Sequence, residues 1–345
     1  MESSLYFLPP CGDKRDRSGE IEAILKEKGA CTLGVGDYFV SGVAMPRGTS
    51  LFGLGEKTRV ILLPQVEEGH AILLESHCTL RDLTLLGDDK DRPLPRIEPA
   101  EDGSMPPVPE PWELGSRHGV GFVGDATNVE NSPIQKGDCI LSGLRIRGFS
   151  GGGLHLRDTG YSCHCSLCAS DCRIHACGAG IFISRFSEYN KFTGIVCTHN
   201  IYGCINNGGN NVFAACAFDS NRQGFLIDNR ENKSKNNAHG SCVGCTFNHM
   251  DRNTGIGVRI LNSKPGFVFS GGQMFFSNVV LEDSQGIVWG GAEFGKNIQF
   301  HVKGGGGVTV SSCFFSTQPL FFVENNAAFR IFQCYTKGGT EIQTP

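Results

Sequence analysis

Apolar residues follow a helical spacing in one short segment of the sequence, close to the N-terminus. The i, i+3, i+4 and i+7 positions of this segment are Ile21, Ile24, Leu25 and Lys28. Gly29 follows, where a glycine at C′ would end a helix. Beyond residue 30 the helical period largely disappears, and short apolar–polar alternations are interrupted by Gly, Asn, Asp and Ser. The pattern predicts one early helix followed by many short strands.

The alternation recurs as a repeat along the chain. In each copy a small, thiol or leucine residue is followed two positions later by a large apolar residue. The copies are Leu83/Leu85, Leu144/Ile146, Cys172/Ile174, Cys216/Phe218, Cys245/Phe247, Gly272/Met274, Ala292/Phe294 and Cys313/Phe315. The last copies follow each other at 20 to 21 residues, and the earlier steps are longer, as expected if loops are inserted into single coils. A repeat of ~20–30 residues without a helix predicts a parallel β-helix.

Cysteines recur at the first position of this repeat. They are Cys172, Cys197, Cys216, Cys245, Cys313 and Cys334. Free cysteine behaves as a small, well-buried apolar residue, so these thiols are predicted to form an inward-facing ladder. The phenylalanines two positions later are expected to form a second ladder beside it.

A second series of strands aligns on a glycine, at Gly153, Gly180, Gly203, Gly224 and Gly257. Because strand side chains alternate, residues at +1 and +3 are predicted to face inward and those at +2 and +4 outward. The +4 row is Arg157, Ser184, Asn207, Asp228 and Leu261. Neighbouring coils lie ~4.8 Å apart, so this row and the next are expected to form a polar stripe on one face.

The whole chain, residues 1–345, is predicted to be a single all-β domain. Residues 12–30 form the N-terminal cap region, and residues 120–336 form the regular coils. Residues 88–118 contain seven of the 15 prolines. Because proline cannot donate to a sheet ladder, this segment is predicted to be a long inserted loop.

Composition narrows the classes of function. The formal net charge is -4, without the basic excess with which nucleic-acid-binding proteins offset phosphate charge. No run of about 18 apolar residues predicts a membrane span. The N-terminus lacks the basic and apolar regions of a secretory signal, so the 16 cysteines are expected to be reduced thiols in a cytoplasmic protein.

The early helix is followed by two glycine-rich segments, 29–40 (GACTLGVGDYFV) and 45–55 (MPRGTSLFGLG), and then by the coils. This order resembles the pectate lyase-like superfamily over about residues 12–336. The resemblance implies a right-handed parallel β-helix with a short N-terminal capping helix. The superfamily includes polysaccharide lyases, glycoside hydrolases, transglycosylases and phage tailspikes. No catalytic motif of one family is present, so the resemblance assigns no catalytic residue.

The densest polar cluster on the coils predicts the site. Cleavage of a glycosidic bond uses two carboxyl groups, and the step from Cys216 to Cys245 is 29 residues, which indicates an enlarged loop. Asp228 and Glu231 are the predicted acid/base or nucleophile pair, with Asp219 one strand earlier. The predicted substrate-binding residues are Arg157, Asp158, Arg185, Glu188, Asn207, Arg230 and His239. The competing interpretation is that these are solvated charges forming weak surface pairs.

Weaker candidates lie nearby. His155 and Asp171 belong with Arg157 and Asp158, and Asp125 and Glu130 near His118 could approach the groove if the long loop folds over it. Residues 163–177 contain five cysteines whose spacing admits a structural zinc, but no clean CxxC…CxxC pair is present. No metal or cofactor is therefore predicted, and no Asp-rich run predicts the Ca²⁺ of a lyase.

The sequence therefore predicts a glycoside hydrolase or transglycosylase that acts on a carbohydrate bound along the β-helix. Two alternatives stay open, a polysaccharide lyase and a non-catalytic carbohydrate-binding or tailspike-like adhesin. The C-terminal end has no obvious cap in the sequence, so a homo-oligomer such as a trimer, or a missing partner, is also open. No nucleic-acid or membrane partner is predicted.

Overall fold

A computed structural model describes the chain in ten segments, with backbone alone at 163–164. The described residues are 6–87, 107–122, 137–156, 163–164, 166–185, 187–230, 238–249, 255–264, 266–324 and 327–345. Strands dominate these segments, and they join laterally into three long parallel sheets, A, B and C.

Sheet A collects one strand from each coil. Its strands are Tyr6–Leu8, Ala30–Leu33, Ser50–Phe52, Thr79–Arg81, Ile140–Ser142, Cys168–Ser170, Lys191–Thr193, Asn211–Ala214, Gly240–Val243, Phe267–Ser270, Gln285–Gly290, Gly306–Ser311 and Phe329–Phe332.

Sheet B follows sheet A within each coil. Its first strands are Gly36–Val40, Thr58–Leu62, Thr84–Leu86, Arg145–Arg147, Arg173–His175 and Val196–Thr198. Single bridges through Ala217 and Thr246 continue it. Its last strands are Gln273–Met274, Glu293–Phe294, Phe314–Phe315 and Tyr335–Thr336.

Sheet C completes the coil. Its strands are Val43–Met45, Gly69–Leu74, Arg117–Phe122, Gly152–Leu156, Ala179–Ile183, Tyr202–Asn206, Gln223–Asp228, Ile256–Leu261, Asn278–Glu282, Gln299–Lys303 and Leu320–Val323. A separate parallel pair joins Cys163–His164 to Ser187–Glu188. The chain visits C, A and B in constant order, which is the arrangement of a parallel β-helix.

The N-terminal helix α1 spans Ser18–Lys28 and buries Ile21 and Leu25. Gly29 ends it with φ 74°, and its N–H donates to the carbonyl of Leu25 at 2.9 Å. The helix packs against Ala30–Leu33, the second strand of sheet A, and against Val43–Met45, the first strand of sheet C. The predicted fold class, a right-handed parallel β-helix with a short N-terminal capping helix, is confirmed.

A single left-handed residue turns the chain from sheet A to sheet B. Asp82, Asp171 and Ser312 have φ of 58°, 53° and 53°, and glycine takes the same place at Gly143 and Gly194. Asp and Gly tolerate this conformation better than most residues. The residue after this corner points into the core. It is the first residue of each pair in the predicted repeat.

Five of the six predicted ladder cysteines occupy this inward position, and all are buried. They are Cys172, Cys216, Cys245, Cys313 and Cys334. The assignment of Cys197 to the same row was wrong, because Ile195 follows the corner and Cys197 pairs with Ile174 two positions later. Both Ile195 and Cys197 satisfy a period of two, so the pattern alone could not choose between them.

The second ladder also forms, in two stacks. Phe218 and Phe247 stack at 5.6 Å between ring centroids, and Phe294 and Phe315 at 4.6 Å. Stacked and edge-to-face aromatic pairs contribute beyond their buried area. The core is therefore a column of aromatic and aliphatic side chains that runs along the helix axis.

Candidate functional site

The outer face of sheet C is partly covered by chain from the Pro-rich region. The glycine-aligned strands pair in the predicted register, which places His155, Phe182, Ile205, Leu226 and Arg259 in one outward row. Ile205 and Leu226 are nevertheless buried.

The covering residues, 107–116, are called the cover segment below, and their Val108 and Leu114 pack on this apolar row. The cover segment contains a 3-10 turn, Pro111–Glu113. Tyr202 on sheet C donates its hydroxyl to the carbonyl of Pro109 at 2.5 Å. The described end of the predicted long loop thus lies across the middle coils. The last two residues of the predicted loop, 117 and 118, belong instead to the strand Arg117–Phe122.

The charge cluster consists of Glu110, Asp228 and Arg230. Asp228 ends the strand Gln223–Asp228, and its side chain is only 6% exposed. Arg230 contacts Asp228 through Nε at 2.9 Å and through a terminal guanidinium nitrogen at 2.6 Å. The same terminal nitrogen donates to Glu110 at 2.7 Å. The two carboxylate oxygens therefore lie no more than about 5.3 Å apart, because both contact one nitrogen.

The charge cluster fixes the state of its arginine. The hydrogen bonds that Arg230 donates to Asp228 contribute most, and together with those to Glu110 they raise the pKa of Arg230 despite partial burial. The guanidinium therefore stays protonated and balances the two carboxylates. Such charge-assisted, bidentate contacts also fix the positions of both partners.

Trp112 adds an aromatic surface beside these charges. Its side chain is 58% exposed, and the Arg230 guanidinium carbon lies 5.9 Å from its ring centroid. On the opposite side, the Asp228 N–H donates to Asn207 Oδ1 at 2.9 Å. Asn207 and Asp228 are thus neighbours in the predicted +4 row. Gln223, 1% exposed and in register with Tyr202, has no hydrogen-bond partner for either amide atom in the described part of the chain.

His239 and Glu188 lie on the connections that lead from sheet C to sheet A, Glu188 in the short strand Ser187–Glu188. A Cβ on Gly209 would approach the His239 ring to 2.4 Å, so this imidazole packs directly on the Gly209 backbone. Glu188 is 4% exposed and accepts from Asn210 Nδ2 at 3.2 Å. Arg185 is exposed on the same connection as Glu188, two residues after the strand Ala179–Ile183.

Asp219 lies apart from the charge cluster. It follows Ala217, which bridges to sheet B, and both its oxygens accept from Thr246 Oγ1 at 3.0 Å. The N–H of Asn248 also donates to it, at 2.9 Å. These contacts tie two successive coils together on the sheet B side. Arg157, Asp158, Glu231, Asp125 and Glu130 lie outside the described residues, as do the side chains of Cys163 and Cys165.

Three histidines lie together at the other end of the same outer face. Among the described residues, His70, His118 and His155 are the group whose ligand atoms are close enough for a metal ion, all within 4.8 Å. His70 Nε2 and His155 Nδ1 are 3.1 Å apart. Imidazoles are common ligands of transition metals.

The geometry of these rings is that of a stack. The three ring planes are within 22° of parallel, and the ring centroids of His118 and His155 are 3.9 Å apart. His118 Nδ1 already accepts the N–H of Gly152 at 2.8 Å. Parallel rings direct their lone pairs side by side, whereas a tetrahedral ion requires them to converge. The prediction that no metal is bound stays a prediction.

Sequence reasoning missed Glu110, Trp112 and His70 as site residues. Glu110 is 120 positions from Arg230, and the Pro-rich segment has no periodicity that assigns it to a face. A signal was present in the capping pattern Glu110–Glu113 around Pro111, which forms a capping box in the structure. It predicts an ordered turn, although not its position over sheet C.

Comparison with known proteins supports the fold. No family model and no curated protein matches this sequence. Among solved structures, the Dettilon tailspike protein aligns with a TM-score of 0.64 and 12% identity, over 97% of this chain and 66% of that chain. DFA-IIIase from Arthrobacter chlorophenolicus A6 aligns with a TM-score of 0.60 and 12% identity, over 100% and 97%.

The enzymatically active domain of bacteriophage CBA120 tailspike protein 2 aligns with a TM-score of 0.56 and 14% identity, over 96% of this chain. This chain spans 47% of that tailspike domain. At such identities the similarity establishes the parallel β-helix fold alone, as the resemblance to the pectate lyase-like superfamily predicts. No helix in the described part of the chain is long and apolar enough to cross a bilayer.

Proposed function

We propose that this protein is a glycoside hydrolase or transglycosylase that acts on an oligo- or polysaccharide bound across the outer face of sheet C. The observation that carries the proposal is the pair of carboxylates, Asp228 and Glu110, held on one guanidinium beside the exposed ring of Trp112. The two oxygens bound to Arg230 are at most about 5.3 Å apart, which is compatible with the ~5–5.5 Å between the two carboxyl groups of a retaining glycosidase.

Each side chain of the site has a role in this proposal. Trp112 stacks on a sugar ring, since its exposed aromatic face offers apolar area beside polar groups. Asp228 is the nucleophile or base, oriented by Arg230 and by its backbone contact with Asn207. Glu110 is the second carboxyl group, and Glu231 stays a sequence prediction for the same role. Arg157, Asp158, Arg185, Glu188 and His239 stay predicted substrate contacts.

The related folds support an activity on carbohydrate. One aligned structure is DFA-IIIase in complex with GF2, another is an enzymatically active tailspike domain, and a third is the mannuronan C-5 epimerase AlgE4 A-module of Azotobacter vinelandii. The DFA-IIIase alignment covers nearly all of both chains.

The lyase alternative requires a neutral base close to the substrate. Arg230 is the basic side chain nearest the carboxylates, and the carboxylates raise its pKa. A guanidinium held protonated cannot abstract a proton, so the charge cluster favours hydrolysis or transglycosylation.

The adhesin alternative rests on the last coils. Phe314, Leu320, Phe322 and Phe332 are each more than half exposed. Exposed apolar side chains grouped at one end are typical of an association surface. A non-catalytic, self-associating carbohydrate binder is therefore the second candidate function, with the predicted homotrimer as its assembled form.

The test is product release from neutral and uronate oligosaccharides, with ultraviolet absorbance of unsaturated products read in parallel. We expect reducing-sugar release without absorbance. Asp228→Asn should lower kcat by ~10²–10⁴-fold, the contribution of a positioned catalytic carboxyl group. Asp283→Asn is the matched control, because Asp283 is an exposed corner residue on a later coil.

Absorbance without hydrolysis would establish the lyase instead. Binding without either product, with Asp228→Asn binding as the unchanged protein does, would establish the adhesin.

A further inference from the structure

The outer face of sheet B carries a compact group of basic side chains. Its middle strands enclose a shallow concavity of about 570 Å³. Arg145, Arg147, Arg173 and His175 all line it. The proposed site on sheet C uses none of these residues.

Strand register places these side chains as a square array. Arg145 pairs with Arg173, and Arg147 pairs with His175, on adjacent parallel strands. Neighbours across the strands are ~4.8 Å apart, and those along a strand ~6.6 Å, between backbones. Like charges directly opposite each other on a sheet destabilise it. The array is therefore a concentration of positive charge that the fold holds at a cost.

Acidic side chains neutralise only one corner of the array. Arg145 contacts Glu56 at 2.7 Å. Within the described segments, no acidic side chain is in ion-pair contact with Arg147 or Arg173. His199 lies 5.0 Å from His175 between ring centroids and adds a further basic group.

The neighbouring basic groups also affect the pKa of His175. Burial lowers the pKa of His175 most, and the neighbouring His199 and Arg147 lower it further. An anion bound among these groups would oppose the last two effects.

The extent of the array limits what it can bind. Thr84 and Leu86 flank it on one side, and Val196 and Thr198 on the other. The next arginine along the sheet, Arg59, is bound to Asp37 through two contacts. The patch therefore matches one or two anionic groups, whereas a nucleic-acid backbone requires a long basic surface.

We propose that the outer face of sheet B is a second saccharide-binding site, which takes the carboxylate or sulfate group of an acidic sugar. The guanidinium forks of Arg147 and Arg173 bind the anionic group, as such forks bind planar oxyanions. Thr198, whose hydroxyl lies 3.4 Å from His175 Nδ1, faces the same space and can reach a sugar hydroxyl. That the ligand is a carbohydrate rests on the proposed function; the anionic group follows from the array.

The test is isothermal titration with an oligogalacturonate, with its methyl ester as the neutral counterpart, and with inorganic sulfate. We expect the unesterified sugar to bind and the ester to bind at least 10-fold more weakly. The double variant Arg147→Gln with Arg173→Gln should raise the Kd for the acidic sugar by about 10-fold or more, because it removes the charge-assisted hydrogen bonds to the anionic group. Arg330→Gln, an exposed arginine on sheet A, is the matched control.

Equal binding by the double variant, or an equal loss in Arg330→Gln, would overturn the site. So would tighter binding of single-stranded DNA than of the sugar at physiological salt. Thermal unfolding shows whether the double variant is folded. Cleavage of a neutral substrate is measured separately: if Asp228→Asn leaves it unchanged while the double variant loses the acidic sugar, the proposed function fails and this site stands.

Discussion

On the outer face of sheet C, the guanidinium of Arg230 lies between two carboxylates. On the outer face of sheet B, Arg147 and Arg173 have no acidic side chain in ion-pair contact within the described residues. The two faces belong to the same coils and differ in what surrounds them. The charge of Arg230 on sheet C is paired inside the molecule, and the charges of Arg147 and Arg173 on sheet B are available to a ligand.

The connections between the sheets explain this difference. From the strand Thr79–Arg81 onward the turn from A to B is short and begins with a left-handed residue, so that corner adds no chain over sheet B. The longer connections lie between sheets B and C or between sheets C and A, and the described end of one of them is the cover segment. Glu110 reaches Arg230 on this insertion, from 120 residues away. Among the described residues, no inserted segment of this kind lines the concavity on sheet B.

Loss of Arg230 should give the largest change in stability. Arg230→Gln leaves Asp228, at 6% exposure, without its charged partner. The free energy of unfolding should fall by about 1.5–3 kcal/mol, the usual loss for hydrogen bonds to charged groups. Urea unfolding measures it, with Arg330→Gln as the exposed control. A loss no larger than that of the control would show that the cluster is an ordinary surface pair.

Trp112→Ala tests whether the covered face also binds sugar. Removal of the exposed ring should raise the Kd for a neutral oligosaccharide by about 2- to 10-fold, since an aromatic stacking contact contributes about 0.5–1.5 kcal/mol. Titration calorimetry gives the Kd. Phe314→Ala removes an aromatic ring of similar exposure on the outer side of sheet B in a late coil. If both variants lose affinity equally, the sugar is not bound at Trp112.

Arg173→Gln should change stability in the opposite sense to Arg230→Gln. The substitution removes a charge that lies opposite Arg145 in register. The free energy of unfolding should rise by about 0.2–1 kcal/mol, the scale of a cross-strand pair. Urea unfolding at low salt shows it best, and added salt should shrink the gain. A decrease in stability would mean that Arg173 has a stabilising contact within the protein.

The fold and half of the site follow from local pattern. The alternation of inward and outward side chains, interrupted at each corner, was enough to place Asn207 and Asp228 in one outward row and Arg230 just beyond it. Register within a period of two was less certain, as Cys197 and Ile195 show. Glu110 and Trp112 could not be placed, because a segment without periodicity reaches its partners through contacts distant in sequence.

The pH dependence due to His175 is the smallest expected effect, and it tests specifically the positive charge on sheet B. Its folded pKa is lowered, by burial, His199 and Arg147, so the unfolded chain, with a pKa of about 6.5, takes up the proton first as the pH falls. The contribution of His175 to stability is therefore constant above its unfolded-state pKa. It is lost as the pH falls from that pKa towards the lower folded-state pKa. Urea unfolding at pH ~7.5 and ~5.5 should show a smaller loss in His175→Gln than in the unchanged protein. Arg147→Gln keeps the imidazole and removes one cause of the shift, so its loss should be intermediate. If Arg147→Gln instead matches the unchanged protein, burial alone lowers this pKa, and the array on sheet B is electrostatically weaker than its register implies.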